Sequence, residues 1–300
     1  MTSNRWSDLD RPPLNQAALR KALLGEGSLW TDLEVVESIG STNTELASRA
    51  REGASAPGSI LVAEEQTAGK GRLDRAWTAP PRSGLFFSML FRPEPPPERW
   101  GWIPLLAGVA TAGALARSAG VDTGLKWPND VLTTGKGAGA PGGAGTNQGG
   151  ATEGGGERKI GGILAERVGT DSVVLGIGLN VTLREEELPV PTAGSLALAG
   201  AQGTDRDPLL RAVLRAVEDW YGRWTAADGD ATAGALLDAY AAGCVTLGRT
   251  VRASLPGGDE LVGEAVAVDG DGRLVIASEQ GVQHPVAAGD IVHLRPATGE

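Results

Sequence analysis

At 300 residues, with 41% hydrophobic and 21% charged side chains, the chain has a globular composition and is long enough for one large domain and a small one. The balance of 37 acidic against 27 basic residues gives a net charge of −10, a surface that repels phosphate backbones and argues against nucleic acid as the main partner. A single cysteine, Cys244, and two histidines, His284 and His293, exclude a disulfide framework and a cysteine or multi-histidine zinc cluster, and no metal-ligand set stands out.

The first 15 residues carry charges and prolines where a secretion signal needs an apolar core. No run of about 18 apolar residues offers a membrane span, so no membrane partner is expected and the expected location is the cytoplasm. Residues 1–32 read as a polar lead with one short helix around 16–24. Segments 33–37, 59–64 and 85–92, rich in Val, Ile and Phe, have the pattern of strands. Between the first two, 42–51 reads as a helix capped by Ser41 or Thr42, with Glu45 three residues after Thr42. The apolar, alanine-rich stretch 103–118 reads as a largely buried helix. Segment 135–157, with 11 glycines and almost nothing apolar, is expected to be a flexible insertion. Strands at 160–167 and 172–181 follow, then helices at 208–225 and 233–244.

After Cys244 the texture changes. Short strands at 249–254, 261–269, 273–277 and 290–294, punctuated by Gly-containing turns, indicate a small all-β domain of the SH3-like barrel type. The expected division is therefore 1–32, 33–246 and 247–300.

Four segments could carry chemistry. In Gln66-Thr67-Ala68-Gly69-Lys70-Gly71-Arg72-Leu73-Asp74-Arg75-Ala76-Trp77, glycines let backbone N–H groups approach an anion, arginines can clamp phosphate or carboxylate, and Trp77 offers a flat face to a base. A solvated basic turn beside a core tryptophan has the same composition. It is not a Walker loop, because Glu64 and Gly71 stand where Gly and Ser or Thr are required. In Lys126-Trp127-Pro128-Asn129-Asp130, proline holds the neighbouring polar side chains in place, although Asn-Asp is also ordinary turn chemistry. Lys159-Ile160-Gly161-Gly162-Ile163-Leu164 puts a cation at the mouth of an apolar strand. Gly176-Ile177-Gly178-Leu179-Asn180-Val181 is a buried strand whose alternating glycines leave room for a flat ligand, and it lacks the third glycine of a dinucleotide fingerprint.

Together with Ser41-Thr42-Asn43, these segments occur in the order found in the biotin protein ligases, and the chain resembles that family over about residues 34–297. The resemblance implies an α+β fold: a mixed β-sheet flanked by helices, of the class II synthetase-like ligase type, with a C-terminal SH3-like β-barrel. It implies ATP and biotin as substrates with Mg²⁺, and a biotin carboxyl carrier protein domain of a biotin-dependent carboxylase as partner. Matches to the family place biotin against Ser41, Thr42, Asn43, Gln66, Gly69, Lys70, Gly71, Arg72, Lys159 and Gly162. They place ATP against Arg72, Arg75, Trp77, Asn129, Lys159 and Asn180. Lys159, Arg72 and Asp130 are the expected catalytic residues, Asp130 as the group that receives a proton from, or orients, the attacking amine. The nearest alternative is a lipoate or octanoyl protein ligase of the same fold. A bifunctional ligase and repressor needs an N-terminal helix-turn-helix of about 60 residues, and only about 32 precede the first core strand here. A non-catalytic biotin sensor would require a disabled basic loop. The sequence leaves the oligomeric state open. Two positions depart from the family's Gly-Arg-Gly-Arg-x-Gly-Arg loop: Lys70 lacks the arginine fork, and Asp74 adds a negative charge. Weaker retention of the activated intermediate is the expected consequence.

Overall fold

The computed structural model describes residues 10–134, 157–255, 258–287 and 289–294. All but Glu157 of the expected insertion lies outside the described residues, as do the first nine residues and the last six.

The centre is a seven-stranded mixed sheet in the order β1-β2-β5-β9-β8-β7-β6. Its strands are β1 (Asp32–Val36), β2 (Ser59–Ala63), β5 (Gly84–Phe91), β6 (Thr123–Lys126), β7 (Asp130–Thr133), β8 (Arg158–Val168) and β9 (Ser172–Asn180). Only β1 and β2 run parallel; every other pairing is antiparallel. The helices are α1 (Gln16–Leu23), α2 (Thr42–Arg51), α3 (Trp102–Ala119), α4 (Arg206–Ala226) and α5 (Leu236–Gly243). Side-chain alternation divides the sheet into two faces. One presents Ile60, Val62, Phe87, Met89, Leu175, Ile177 and Leu179 to the main core, built with α1, α3 and α4. The other presents Leu61, Leu90 and Val174, which pack with Leu46 and Ala47 of α2. Helix α3 has 18 residues of mean hydropathy 1.2 and would pass for a membrane span by length and composition, yet 61% of it is buried inside the fold. It is the central core helix, ended by Gly120 in the left-handed conformation.

Two hairpin strands were not expected from sequence: β6 and β7, which flank the Trp127-Pro128 cis peptide. They are four residues each, too short to show periodicity against the surrounding turn chemistry. The cap of α2 is Ser41, whose Oγ accepts from the Thr44 N–H, so Thr42 already lies in the first turn.

The C-terminal unit is a five-stranded antiparallel sheet, β13-β12-β11-β10-β14, of the SH3-like type. Its strands are β10 (Thr250–Ser254), β11 (Glu260–Val268), β12 (Leu274–Ala277), β13 (Gln283–Val286) and β14 (Asp290–His293). Strand β13 escaped the sequence reading because Pro285 interrupts its pattern. Two buried tryptophans fasten this unit to the larger sheet. Trp102 Nε1 donates to the Gly270 carbonyl at 2.9 Å, and Trp127 Nε1 to the Gly272 carbonyl at 3.0 Å. At the far side Arg206 and Glu64, both buried, pair at 2.6 Å, and Glu64 also accepts from the Leu14 N–H. That pairing satisfies two charges that would otherwise be costly to bury.

Candidate active site

The α2 face of the sheet opens into a cavity of about 1110 Å³ that reaches the C-terminal unit. Ser41, Thr42, Asn43, Gln66, Lys70, Gly71, Arg72, Arg75, Trp77, Asn129, Asp130, Lys159, Gly162 and Asn180 all line it. Gly69 does not. It begins the two-residue strand β3 (Gly69–Lys70), and a Cβ there would lie 2.5 Å from the Trp77 carbonyl oxygen, so it permits the close pairing with β4 (Ala76–Trp77).

That pairing turns the basic segment into a hairpin. The Gly71 N–H donates to the Arg75 carbonyl at 2.7 Å, and the tip carries Arg72, Leu73, Asp74 and Arg75, with Leu73 exposed in the left-handed region (φ 54°). The expectation for the Asp74 side chain falls outside what the structure describes.

At the inner end, helix α2 points its first turn into the cavity. Gln66 Oε1 accepts from the Thr42 N–H at 2.9 Å and from Thr42 Oγ1 at 3.1 Å. Ser88 Oγ lies 2.8 Å from Thr42 Oγ1 and donates to Asn43 Oδ1 at 2.6 Å. Asn43 Nδ2 donates to the Leu164 carbonyl at 3.1 Å and to Glu166 Oε2 at 2.8 Å, so every polar group of this buried amide is engaged by the protein itself. Asn43 Oδ1 also occupies the space above Gly176, where a Cβ would stand only 2.0 Å from it.

The glycine-bearing strands form a floor, with Gly162 paired to Gly178 across β8 and β9. The expected open space for a flat ligand is filled by the chain's own side chains. Asn43 lies on Gly176, and the Trp77 indole lies on Gly162 and Gly178, 2.9 and 3.0 Å from where their Cβ atoms would be. A flat ligand must therefore meet the outer face of Trp77 rather than the strand itself. The indole Nε1 is buried without a hydrogen-bond partner.

Lys159 stands beside this ring, its Nζ 5.5 Å from the ring centroid and 2.6 Å from Asp130 Oδ1. Asn129 holds the floor from the neighbouring turn: its Nδ2 donates to the Ile163 carbonyl at 3.2 Å, and its Oδ1 accepts from Arg72 Nη1 at 3.4 Å. Arg72 Nη2 donates to the Gly289 carbonyl at 3.1 Å, and Arg75 is paired with Asp290. Burial lowers the Arg72 pKa, opposed by the nearby Asp290 and Asp130, whereas the hydrogen bond that Arg75 donates to Asp290 raises that of Arg75. Beyond Gly178 on the same face, Asn180 Nδ2 donates to the Gly194 carbonyl at 2.9 Å, while its Oδ1 is buried with no partner. An orphaned acceptor at a cavity wall is suited to an incoming N–H donor.

The sequence reading missed the wall supplied by the C-terminal unit. Asp290, Arg249 and His293 all line the cavity, with Glu157 opposite them. They lie 90 residues or more from the basic hairpin or from Glu157, and only docking of the two sheets brings them together. His293 is packed there and hydrogen-bonded at the cavity wall.

A glycine-floored cleft on a mixed sheet, roofed by a basic hairpin and walled by a second small β-unit, defines a site for an extended anionic ligand. Comparison with known proteins narrows this. A model of the biotin/lipoate A/B protein ligase family matches residues 35–180, and one of the biotin protein ligase C-terminal domain matches residues 246–294. The biotin–[acetyl-CoA-carboxylase] ligase of Mycobacterium tuberculosis is 41% identical over 95% of this chain and 97% of its own length. The bifunctional ligase/repressor BirA of Bacillus subtilis is 30% identical over 88% of this chain and 74% of its own length. Among solved structures, the biotin protein ligase from Aquifex aeolicus in complex with biotin and ATP superposes with a TM-score of 0.67 at 25% identity, covering 89% of this chain and all of that one. The chain belongs to the biotin/lipoate A/B protein ligase family.

Proposed function

We propose that the chain is an ATP-dependent biotin protein ligase, forming biotinyl-5′-AMP and passing biotin to a lysine of a biotin carboxyl carrier domain. The observation that carries this reading is one continuous cleft in which Lys159 and Asp130 stand between two different polar ends. At one end the Ser41–Thr42–Gln66 group offers donors and acceptors to a small ring. At the other, Asn180 Oδ1 and the outer face of Trp77 suit an adenine, with its exocyclic amine as donor. The 41% identical relative bears the biotin ligase name, which favours biotin over lipoate. The expected units are a catalytic one over 33–246 and a small one over 247–300, working in the cytoplasm.

In the first step a biotin carboxylate oxygen attacks the α-phosphorus of ATP and pyrophosphate leaves. Two anions must meet, and each unit-charge pair about 4 Å apart is worth ~4 kcal/mol at an effective dielectric near 20. Lys159, Arg72 and Arg75 supply the opposing charge. Arg75 must exchange Asp290 for the ligand, and Lys159 must share itself between Asp130 and the reacting oxygens. Among the described residues no three His, Cys, Asp or Glu side chains gather into a metal cage. Mg²⁺ therefore fits as an ion carried in on the phosphates, which is its usual habit, with Asp130 as the carboxylate able to share it. When bound there it would neutralise phosphate charge.

In the second step the amine of a carrier lysine attacks the carbonyl carbon of the mixed anhydride; the bond from that carbon to the phosphate oxygen breaks and AMP leaves as the amide forms. At pH 7 only about one free lysine in 2,500 is neutral. Asp130, freed as Lys159 turns to the adenylate phosphate, orients this amine and receives its proton. The test is incubation with ATP, Mg²⁺ and labelled biotin or lipoate, with and without a carrier domain. Pyrophosphate release and carrier labelling with biotin are expected; labelling with lipoate instead would overturn the reading.

A further inference from the structure

Beyond the groups assigned so far, two more cations line the cavity, one from each unit. Lys126 ends β6 and lies directly opposite Asp130 in the hairpin register, so it continues the charged wall that starts at Lys159. Among the described residues it has no ion-pair partner, although Asp130 is taken by Lys159. Arg249 comes from the turn into β10. Glu157 holds it through both carboxylate oxygens, and Arg249 Nη1 lies 3.1 Å from His293 Nδ1.

Arginine is only a donor, so His293 Nδ1 must be unprotonated and its Nε2 carries the hydrogen, which goes to Thr246 Oγ1 at 3.1 Å. Thr246 is in turn fixed by the Trp127 N–H at 3.0 Å. Burial first, and then the nearby Lys126 and Arg249, push the His293 pKa down to about 4, against a smaller opposing pull from Glu157. The imidazole is thus a neutral acceptor that aims the guanidinium rather than a third cation. Arg249 has five donors, its side chain is still 39% exposed, and Glu157 and His293 leave part of its fork open. Two cations close to the same imidazole, one unpaired and one aimed by a buried network, form an anion site in the cavity wall.

We propose that Lys126 and Arg249 bind the β- and γ-phosphates of the nucleotide and hold the pyrophosphate as it leaves. The proposal rests on the biotin ligase reading above. As the biotin carboxylate oxygen forms its bond to the α-phosphorus, the bond from that phosphorus to the bridging oxygen breaks. The electron pair stays on the pyrophosphate, whose negative charge grows, and Lys126 and Arg249 face that growing charge. Because they come from different units, the nucleotide's far end also bridges the two sheets.

The test is calorimetric titration of the full chain, as wild type, Lys126→Ala and Arg249→Lys. The probes are ATP, inorganic pyrophosphate and a non-hydrolysable biotinyl-adenylate mimic that lacks the β- and γ-phosphates. Expected are a loss of about tenfold or more in affinity for ATP and for pyrophosphate in Lys126→Ala, and a smaller loss in Arg249→Lys, which keeps charge but not the fork. The mimic should bind all three proteins alike, which also reports that they are folded. Unchanged ATP and pyrophosphate affinity in both variants, or equal losses for the mimic, would overturn the proposal. A wild type that does not bind the mimic would overturn the ligase reading itself, and this proposal with it.

Discussion

Replacing Gly176 by alanine would put a methyl group 2.0 Å from Asn43 Oδ1 and 2.8 Å from its Cγ, so one side must move. The strand cannot, because β9 is hydrogen-bonded on both sides, to β5 and β8. Asn43 must leave, and its amide is committed to Ser88, Leu164 and Glu166. Losing the bond to the Glu166 carboxylate costs about 1.5–3 kcal/mol and the one from Ser88 about 1 kcal/mol. Residual overpacking adds about 1–3 kcal/mol. Together these come to about 3.5–7 kcal/mol, which corresponds to a fall in Tm on the order of 10–20 °C for a chain of this size. Because Asn43 follows Ser41 and Thr42 on the same first turn, the KM for biotin should rise as well. The assay is a double-mutant cycle by thermal or denaturant unfolding. In an Asn43→Ala background the space above Gly176 is vacated, so Gly176→Ala should add less than about 0.5 kcal/mol there. Strict additivity of the two substitutions would refute the packing argument.

Lys159→Ala should leave the fold intact yet slow adenylate formation by about 10²-fold or more; near-normal pyrophosphate release would remove Lys159 from the first step. Asp130→Asn should slow transfer to the carrier, by about 10²-fold, more than it slows adenylation, and equal losses in single-turnover assays of the two steps would make it a first-step residue instead. Arg206→Met strands the buried Glu64 carboxylate and should cost about 3–5 kcal/mol, whereas Arg206→Met with Glu64→Gln should recover part of that in denaturant melts. His293 has a folded-state pKa of about 4, below the ordinary 6.5. Its neutral form is the one the fold accepts, so this contribution to stability is fully present above pH 6.5. It is lost as the pH falls towards 4, because the unfolded chain takes up the proton first. His293→Gln should flatten the stability profile between those values, and an unaltered profile would show that another group governs it.

The sequence by itself determined most of the elements of both sheets and named most of the polar residues that the fold gathers round the cavity. Apolar runs rich in branched and aromatic residues marked β1, β2, β5, β8 and β9, the apolar, alanine-rich composition of α3 marked a buried helix, and short Gly-punctuated strands marked the C-terminal unit. Thirteen of the 14 distinct residues expected at the ligands line one cavity. They were legible because the cavity-lining residues in this fold sit in short contiguous runs: at a helix start, in a tight hairpin and at strand mouths. What needed the tertiary structure was everything set by the docking of one segment on another. Gly176 and Gly178 read as room for a ligand, but Asn43 from α2 and Trp77 from the hairpin fill that room. Asn43 read as a ligand contact, but its amide is engaged by β5 and β8. The basic hairpin read as a free phosphate clamp, but both of its arginines rest on Gly289 and Asp290 of the other unit. Arg249 and His293 had no local signature at all. A motif reports which groups a segment offers; only packing decides which of them are already spoken for by neighbours distant in sequence.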